Sequence, residues 1–208
     1  METPRVAPEV PANPGALEKL SGEVILPDGT GLHVRPIRPD DEPRLARFHA
    51  GLSDRSVYQR YFRPIPLAQR VRHARLSRLC FADFRTEIPL VVVRSAEGAD
   101  DEILAVGRLH RDPDRPEAEF ALVVADAWQR RGLGERLLAR LEDAARAVGC
   151  TRLSGTLLAE NLPMQHLSHR RGFTLHPGAG GEVTAERSLA PAPRPRRKIV
   201  SLRMSSRR

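Results

Sequence analysis

Lysine is nearly missing from this chain. Of 34 cationic side chains only Lys19 and Lys198 are lysines, and the rest are arginines. Cysteine is equally scarce: Cys80 and Cys150 stand alone, with no CxxC pair. That spacing excludes a cysteine-ligated zinc module and a disulfide framework. No apolar run approaches the ~20 residues of a membrane-spanning helix. The first residues also lack the basic-then-apolar layout of a secretory leader. A cytoplasmic location with no membrane partner is the expectation.

Acidic residues are absent from 188–208, and so are aromatics, while seven cations are present there. Seven prolines fall in the two end segments, four before residue 15 and three between 191 and 195. Proline-rich stretches bury little and donate few backbone hydrogen bonds. The expected organisation is a flexible segment 1–20, one domain over 21–189 and a basic tail over 190–208. The formal net charge of +8 is therefore mostly a property of the tail, because residues 21–187 carry about +2. With no aromatic to stack on bases, the tail is not read as a nucleic-acid interface. At 208 residues, 40% hydrophobic and 29% charged, the chain can bury one good-sized core.

Apolar runs at 23–26 and 32–37 flank Pro27-Asp28-Gly29-Thr30-Gly31, a hairpin signal. Helices are expected from about Pro39 through Leu52, over 55–62 and over 67–79. Further strands are expected at 88–93, 103–109 and 118–124. The longest helix, about 132–148, has its apolar stripe on Leu133, Leu137, Leu138, Leu141, Ala144, Ala145 and Val148, and Gly149 ends it. A strand at 153–158, a short helix at 163–171 and a terminal strand pair (173–175 and 183–189) complete the pattern. Helices interleaved with a mostly antiparallel meander indicate an α+β fold, one mixed sheet with helices on both faces.

The chemistry concentrates in Ala118 to Gly134. A strand ends in Leu122-Val123-Val124, a turn follows, and Gln129-Arg130-Arg131-Gly132-Leu133-Gly134 opens the long helix. The first N–H groups of a helix lack intrahelical partners, and the helix dipole is positive there. Glycines let a phosphate come close to the backbone. No Gly-Lys-Ser/Thr follows, so it is not a Walker loop, and the third glycine of a dinucleotide fingerprint is missing.

This stretch resembles motif A of the GNAT acyltransferases, and the likeness runs from about Leu32 to Phe173. Ala159-Glu160-Asn161-Leu162-Pro163-Met164 and Arg171-Gly172-Phe173 resemble that family's strand-to-helix junction and Gly-Phe ending. The resemblance implies a GNAT fold, acetyl-CoA as acyl donor and no metal. It implies donor contacts from Val123 and Val124, from Gln129, Arg130, Arg131, Gly132, Leu133, Gly134 and Glu135, and from Asn161. A narrower likeness lies in residues 26–41, in Leu52-Ser53 and in Ser56-Val57-Tyr58-Gln59-Arg60-Tyr61-Phe62. These resemble the bacterial Pat-type protein lysine acetyltransferases, here expected without the fused regulatory domain. That implies a protein lysine acceptor, of the acyl-CoA synthetase type.

An amine must be neutral to attack, and a lysine pKa of about 10.4 calls for a general base at pH 7. Glu119 is the first choice. It alternates with Ala121 and Val123 on an otherwise apolar strand, and it matches the catalytic glutamate of the Pat-like enzymes. Glu117 is the second choice. The tyrosine that often protonates the leaving thiolate in this family is replaced by Ser168, five residues before Phe173, so Ser168 or water is expected to relay the proton. His166 and His169 are expected to be surface residues, and Cys150 a buried structural thiol. The alternatives are a small-molecule amine acetyltransferase, for a polyamine, amino acid or antibiotic, and a non-catalytic acetyl-CoA-binding module. Oligomeric state is left open.

Overall fold

A computed structural model describes residues 19–95 and 100–189. Of the expected end segments, only Lys19 and Leu20 fall among the described residues; Leu20 is packed in the core. The tail from 190 and most of the turn expected at 97–100 lie outside them.

Eight strands form one sheet. In chain order they are β1 (Gly22–Ile25), β2 (Gly31–Pro36), β3 (Glu87–Arg94), β4 (Glu102–Arg111), β5 (Glu117–Val124), β6 (Arg152–Leu158), β7 (Thr174–Pro177) and β8 (Glu182–Ser188). Their spatial order is β1-β2-β3-β4-β5-β6-β8-β7. Every neighbouring pair is antiparallel except β5 and β6. The α+β expectation holds.

The helices are α1 (Glu42–Ala50), α2 (Asp54–Tyr61), α3 (Leu67–Arg70), α4 (His73–Cys80), α5 (Leu133–Ala147) and α6 (Leu162–Arg170). One face of the sheet packs on α5, through Leu133, Leu137, Leu138, Leu141, Ala144 and Ala145. The other face is covered by α1, α2 and α4, through Leu45, Phe48, Val57 and Leu76. Period-2 alternation along each strand supplies both layers: Val91, Val93, Val106 and Val123 face one cluster, and Leu90, Val92, Ala105 and Val124 face the other.

One expectation needs correction. The single helix over 67–79 is two helices, broken at Val71 and Arg72. Arg72 is extended (φ −64°, ψ 129°). The cause lies in Arg70, whose buried guanidinium turns inward. It donates to the carbonyl oxygens of Ile65 (2.6 Å) and Leu52 (3.0 Å) and to the Asp54 carboxylate.

Two ion-paired sites lock the layers. Arg35 on β2 makes a two-pronged bond to Asp41 (2.6 and 2.8 Å), and Asp41 also accepts the Arg38 N–H at 2.8 Å. Asp41 is fully buried. Burial alone would raise its pKa, but these donors and the nearby Arg44 outweigh it and hold the carboxyl below its usual range. The second site is Glu142 on α5, also fully buried. Arg171 reaches its two oxygens at 2.9 and 2.8 Å, and Arg187 reaches one at 2.7 Å.

Candidate active site

β5 and β6 are paired over three residues only: Glu117 with Arg152, Ala118 with Leu153 and Glu119 with Ser154. Beyond Glu119 the strands part. Packing marks the place: the Phe120 ring lies where a Cβ on Gly155 would be, at 2.6 Å, and meets Phe173 edge-on at 5.3 Å. An alanine at 155 could not coexist with that ring.

The parting leaves backbone groups free. Ala125 N–H donates to the Leu104 carbonyl on the β4 side at 2.9 Å. Alternation along an antiparallel strand then turns the backbone groups of Val124 and Leu122 toward the gap. The Val124 carbonyl is met there by Gln129 Nε2 at 3.1 Å. Val123 and Val124 are both buried, and their side chains point to opposite faces.

The loop that follows turns left-handed twice, at Arg130 (φ 61°) and Gly132 (φ 85°). Gly132 is the N-cap of α5, and a Cβ on it would stand 3.1 Å from Pro27 Cδ in the β1–β2 turn. The first intrahelical bond is donated by Arg136 to the Gly132 carbonyl at 3.2 Å. The N–H groups of Leu133, Gly134 and Glu135 therefore lack helical acceptors. Gly134 abuts both the strand and α6: a Cβ there would meet Leu167 Cδ1 at 3.1 Å and Val124 Cγ2 at 3.7 Å. The helix start and the end of β5 thus form one wall. Arg131 stacks on the Trp128 ring at 4.9 Å, and the Arg130 side chain is exposed. The Glu135 carboxylate is held by Arg170 at 3.1 Å.

The Gln129 side chain is exposed, but its amide is engaged by groups of the protein. Besides Val124 it donates to Ser56 Oγ at 2.9 Å. Ser56 Oγ donates in turn to Asp126 at 2.8 Å, and Ser53 gives Asp126 both its hydroxyl (2.6 Å) and its N–H (2.9 Å). Partial burial would raise the Asp126 pKa; the three serine donors outweigh it and lower it. This strap ties the start of α2 to the end of β5. It explains why Ser53 and Ser56 stood out in the sequence, a role that spacing alone did not disclose.

Asn161 is the N-cap of α6 and accepts the Met164 N–H at 3.3 Å. Ser168 is fully buried, and its Oγ has no hydrogen-bond partner. Burial pushes the Cys80 thiol up to about 12 and also raises Cys150, so neither is a ready nucleophile. Among the described residues no cluster of three or more His, Cys, Asp or Glu could hold a metal ion. Nor is any described helix long and apolar enough to cross a membrane.

On the α1–α4 face the sheet brings together side chains that are distant in sequence. Glu119 is exposed on β5 and shares a face with Val123; it lies opposite His110 on β4. It is close enough to Arg60 to act on its charge. Glu117 is ion-paired with Arg152 at 3.5 Å. Beside Val123 and Val106 is a cavity of about 350 Å³, lined also by His49, Arg60, Arg75, Arg108 and Glu87. His49 Nδ1 is buried without a partner. Burial, aided by Arg75, Arg60 and Arg70, pushes this imidazole down to about 4.

A pH dependence follows. Between pH 6.5 and about 4 the unfolded chain binds a proton at His49 that the folded chain refuses. Stability should therefore rise with pH across that window and fall by on the order of 3 kcal/mol on acidification through it. Denaturant melts at pH 7, 5.5 and 4 check this, and His49→Leu should flatten the slope there. Asp41 and Asp126, whose carboxyls are held low, add their loss only below about pH 3.8.

The family model for the acetyltransferase (GNAT) family matches residues 56–173, from the strap serine to the Phe173 that packs on Phe120. This chain belongs to that family. It has the GNAT fold, and acetyl-CoA is the acyl donor of the enzymes of this family. It is 31% identical to the GNAT domain of Streptomyces lividans Pat, with a TM-score of 0.73 over 82% of this chain and 98% of that one. It is 28% identical over 145 residues to the acetyltransferase Pat of Mycolicibacterium smegmatis, covering 69% of this chain and 41% of that relative. It is also 28% identical over 148 residues to an acetyltransferase of Pseudomonas aeruginosa, covering 71% and 77%. The chain thus spans less than half the length of the mycobacterial relative.

Proposed function

We propose that this chain moves the acetyl group of acetyl-CoA onto a primary amine, with Glu119 as general base. The observation that carries the reading is the parting of β5 from β6 beside the glycine-rich start of α5. The gap offers the backbone groups of Leu122 and the N–H of Val124 to an amide-bearing pantetheine arm. The unpartnered N–H groups of Leu133, Gly134 and Glu135 suit a pyrophosphate, with Arg130 and Arg131 adding charge at the loop. Asn161 would meet the donor at the start of α6.

Glu119 takes one proton from the bound ammonium, and the neutral amine attacks the thioester carbon. A C–N bond forms and the C–S bond breaks. The second amine proton passes through Ser168 or water to the departing thiolate. A buried hydroxyl without a partner is unusual in a folded chain and fits a group that finds its partner in a ligand. A free Val124 N–H in the gap is suited to the developing oxyanion.

The likeness to the Pat proteins supports a protein lysine, on an acyl-CoA synthetase-type target, as acceptor. A small-molecule amine is the second reading, favoured by the arginine-lined cavity beside Val123. Acetyl-CoA is incubated with acyl-CoA synthetase protein or with a panel of small amines, and release of free CoA is followed. A binding module that is not an enzyme would release none. The two isolated buried cysteines fit a cytoplasmic site of action.

Gly132→Ala tests the donor end. It forces a side chain into a left-handed residue and against Pro27. Acetyl-CoA should bind at least about tenfold more weakly by calorimetry, while the far-ultraviolet circular dichroism is unchanged. Unaltered affinity would show that the loop does not cradle the pyrophosphate.

A further inference from the structure

The cavity beside Val123 has an electrostatic character that a lysine acceptor does not explain. Arg60, Arg75, Arg78 and Arg108 contribute to its wall, against one acid, Glu87. That acid is already bonded to Arg108. Among the described residues, no carboxylate pairs with Arg60, Arg75 or Arg78. Arg60 and Arg75 are held rather than mobile, for both guanidiniums pack against the Tyr61 ring, at 4.9 and 4.5 Å. Both are only partly exposed. Burial and the neighbouring Arg108 and Arg75 charges push the Arg60 guanidinium down, against the pull of Tyr61 and of the Glu119 charge. Arginine stays cationic at neutral pH even so.

Partly buried like charges without counter-ions are costly, and an arrangement that keeps them is suited to an anion. Guanidinium forks fit carboxylate and phosphate oxygens with two parallel bonds. A second observation points the same way. The His49 imidazole also lines this cavity, is neutral at pH 7, and has a buried Nδ1 that finds no partner in the protein, a polar group left for a ligand to satisfy. The volume, about 350 Å³, lies at the small-ligand end of the usual range.

We infer that the acceptor is a small primary amine that carries a carboxylate or phosphate, and that Arg60, Arg75 and Arg108 hold this oxyanion in the cavity beside Val123. The inference rests on the acetyl-transfer reading above, takes its second acceptor, a small amine, in place of a protein lysine, and names the class of that amine. The geometry is consistent with the chemistry. Val123 lies between the cavity and the β5–β6 gap, and Glu119 follows along the same strand face. With the anion among the arginines, the amine can reach toward the gap. The same cations disfavour an ammonium and so favour the neutral amine that attacks. A polyamine or a lysine flanked by basic residues would enter against repulsion.

The test pairs amines that differ in the anion. Ethanolamine is compared with O-phosphoethanolamine, and putrescine with glutamate, using the full chain and acetyl-CoA. An N-acetylated lysine peptide amide is the macromolecular control. The expected result is a kcat/KM at least tenfold higher for the phosphate- or carboxylate-bearing amine, and the phosphate and carboxylate arms tell the two oxyanions apart. Arg75→Gln should narrow the ratio to within about threefold, mainly through KM for the acceptor. Equal or better turnover of ethanolamine, putrescine or the lysine peptide overturns the inference. Each amine is also titrated against the chain by calorimetry, which reads the cavity whether or not transfer occurs. If acetyl-CoA neither binds nor is consumed, the acetyl-transfer reading fails, while anion-selective binding by calorimetry still decides the cavity.

Discussion

Glu119→Gln should cut acetyl transfer at pH 7 by about 10²- to 10⁴-fold, the usual contribution of a positioned general base. Donor binding should be unchanged, since the backbone groups of the β5–β6 gap and of the α5 start remain. The pH dependence separates a base from a structural residue. An amine with a pKa of about 8–10 becomes neutral by itself as pH rises, so the variant should recover activity tenfold per pH unit until the amine is fully neutral. A structural lesion would leave a parallel deficit at every pH. The neighbouring Glu117 serves as control: it is ion-paired with Arg152, and Glu117→Gln should cost little. Full turnover by Glu119→Gln at pH 7 would remove Glu119 from the mechanism.

The largest stability effect is expected at Glu142. Its carboxylate is fully buried and accepts from Arg171 and Arg187, with Arg146 at 3.6 Å. Removing one member of a buried ion pair leaves the partners uncompensated, typically at a cost of about 3–5 kcal/mol. Glu142→Ala should therefore lower Tm by on the order of 10 °C, for a chain of this size. Arg171→Ala and Arg187→Ala should each cost less, because the carboxylate keeps the other partner. The double arginine variant should exceed the sum, because it leaves the buried carboxylate without either partner. A loss below about 1 kcal/mol for Glu142→Ala would show that these contacts contribute little in solution.

Much of the candidate site's local backbone was legible in the sequence, because its signals are local. The glycine-rich helix start, the Asn161 cap and the positive-φ stops at Gly149 and Gly172 are decided by neighbours within a few residues. Glu142 was not legible as a buried group. On a helical wheel it looks like a solvated position beside the apolar stripe, and its partners are 29 and 45 residues away. The break at Val71 was hidden for the same reason, since it depends on where the Arg70 guanidinium finds carbonyls. The cavity was hidden by composition. In a chain with so many arginines, Arg60, Arg75 and Arg108 look like ordinary surface, and only the fold gathers them beside Val123. The strap on Asp126 was half visible: Ser53 and Ser56 carried the family likeness without revealing their contact.

The three-residue seam between β5 and β6 has a consequence for how the protein holds together. The sheet is two antiparallel sets of strands, β1–β5 and β6–β8, and past Glu119 they do not share a ladder. A donor lying in that gap would take the place of the missing strand, bridging the two halves through the backbone of Leu122 and Val124. Resistance to unfolding would then follow donor supply by mass action, gaining about 2.7 kcal/mol at a hundredfold excess over Kd. Where that donor is scarce the same chain would be less resistant to unfolding, so its abundance would follow the supply of the proposed donor.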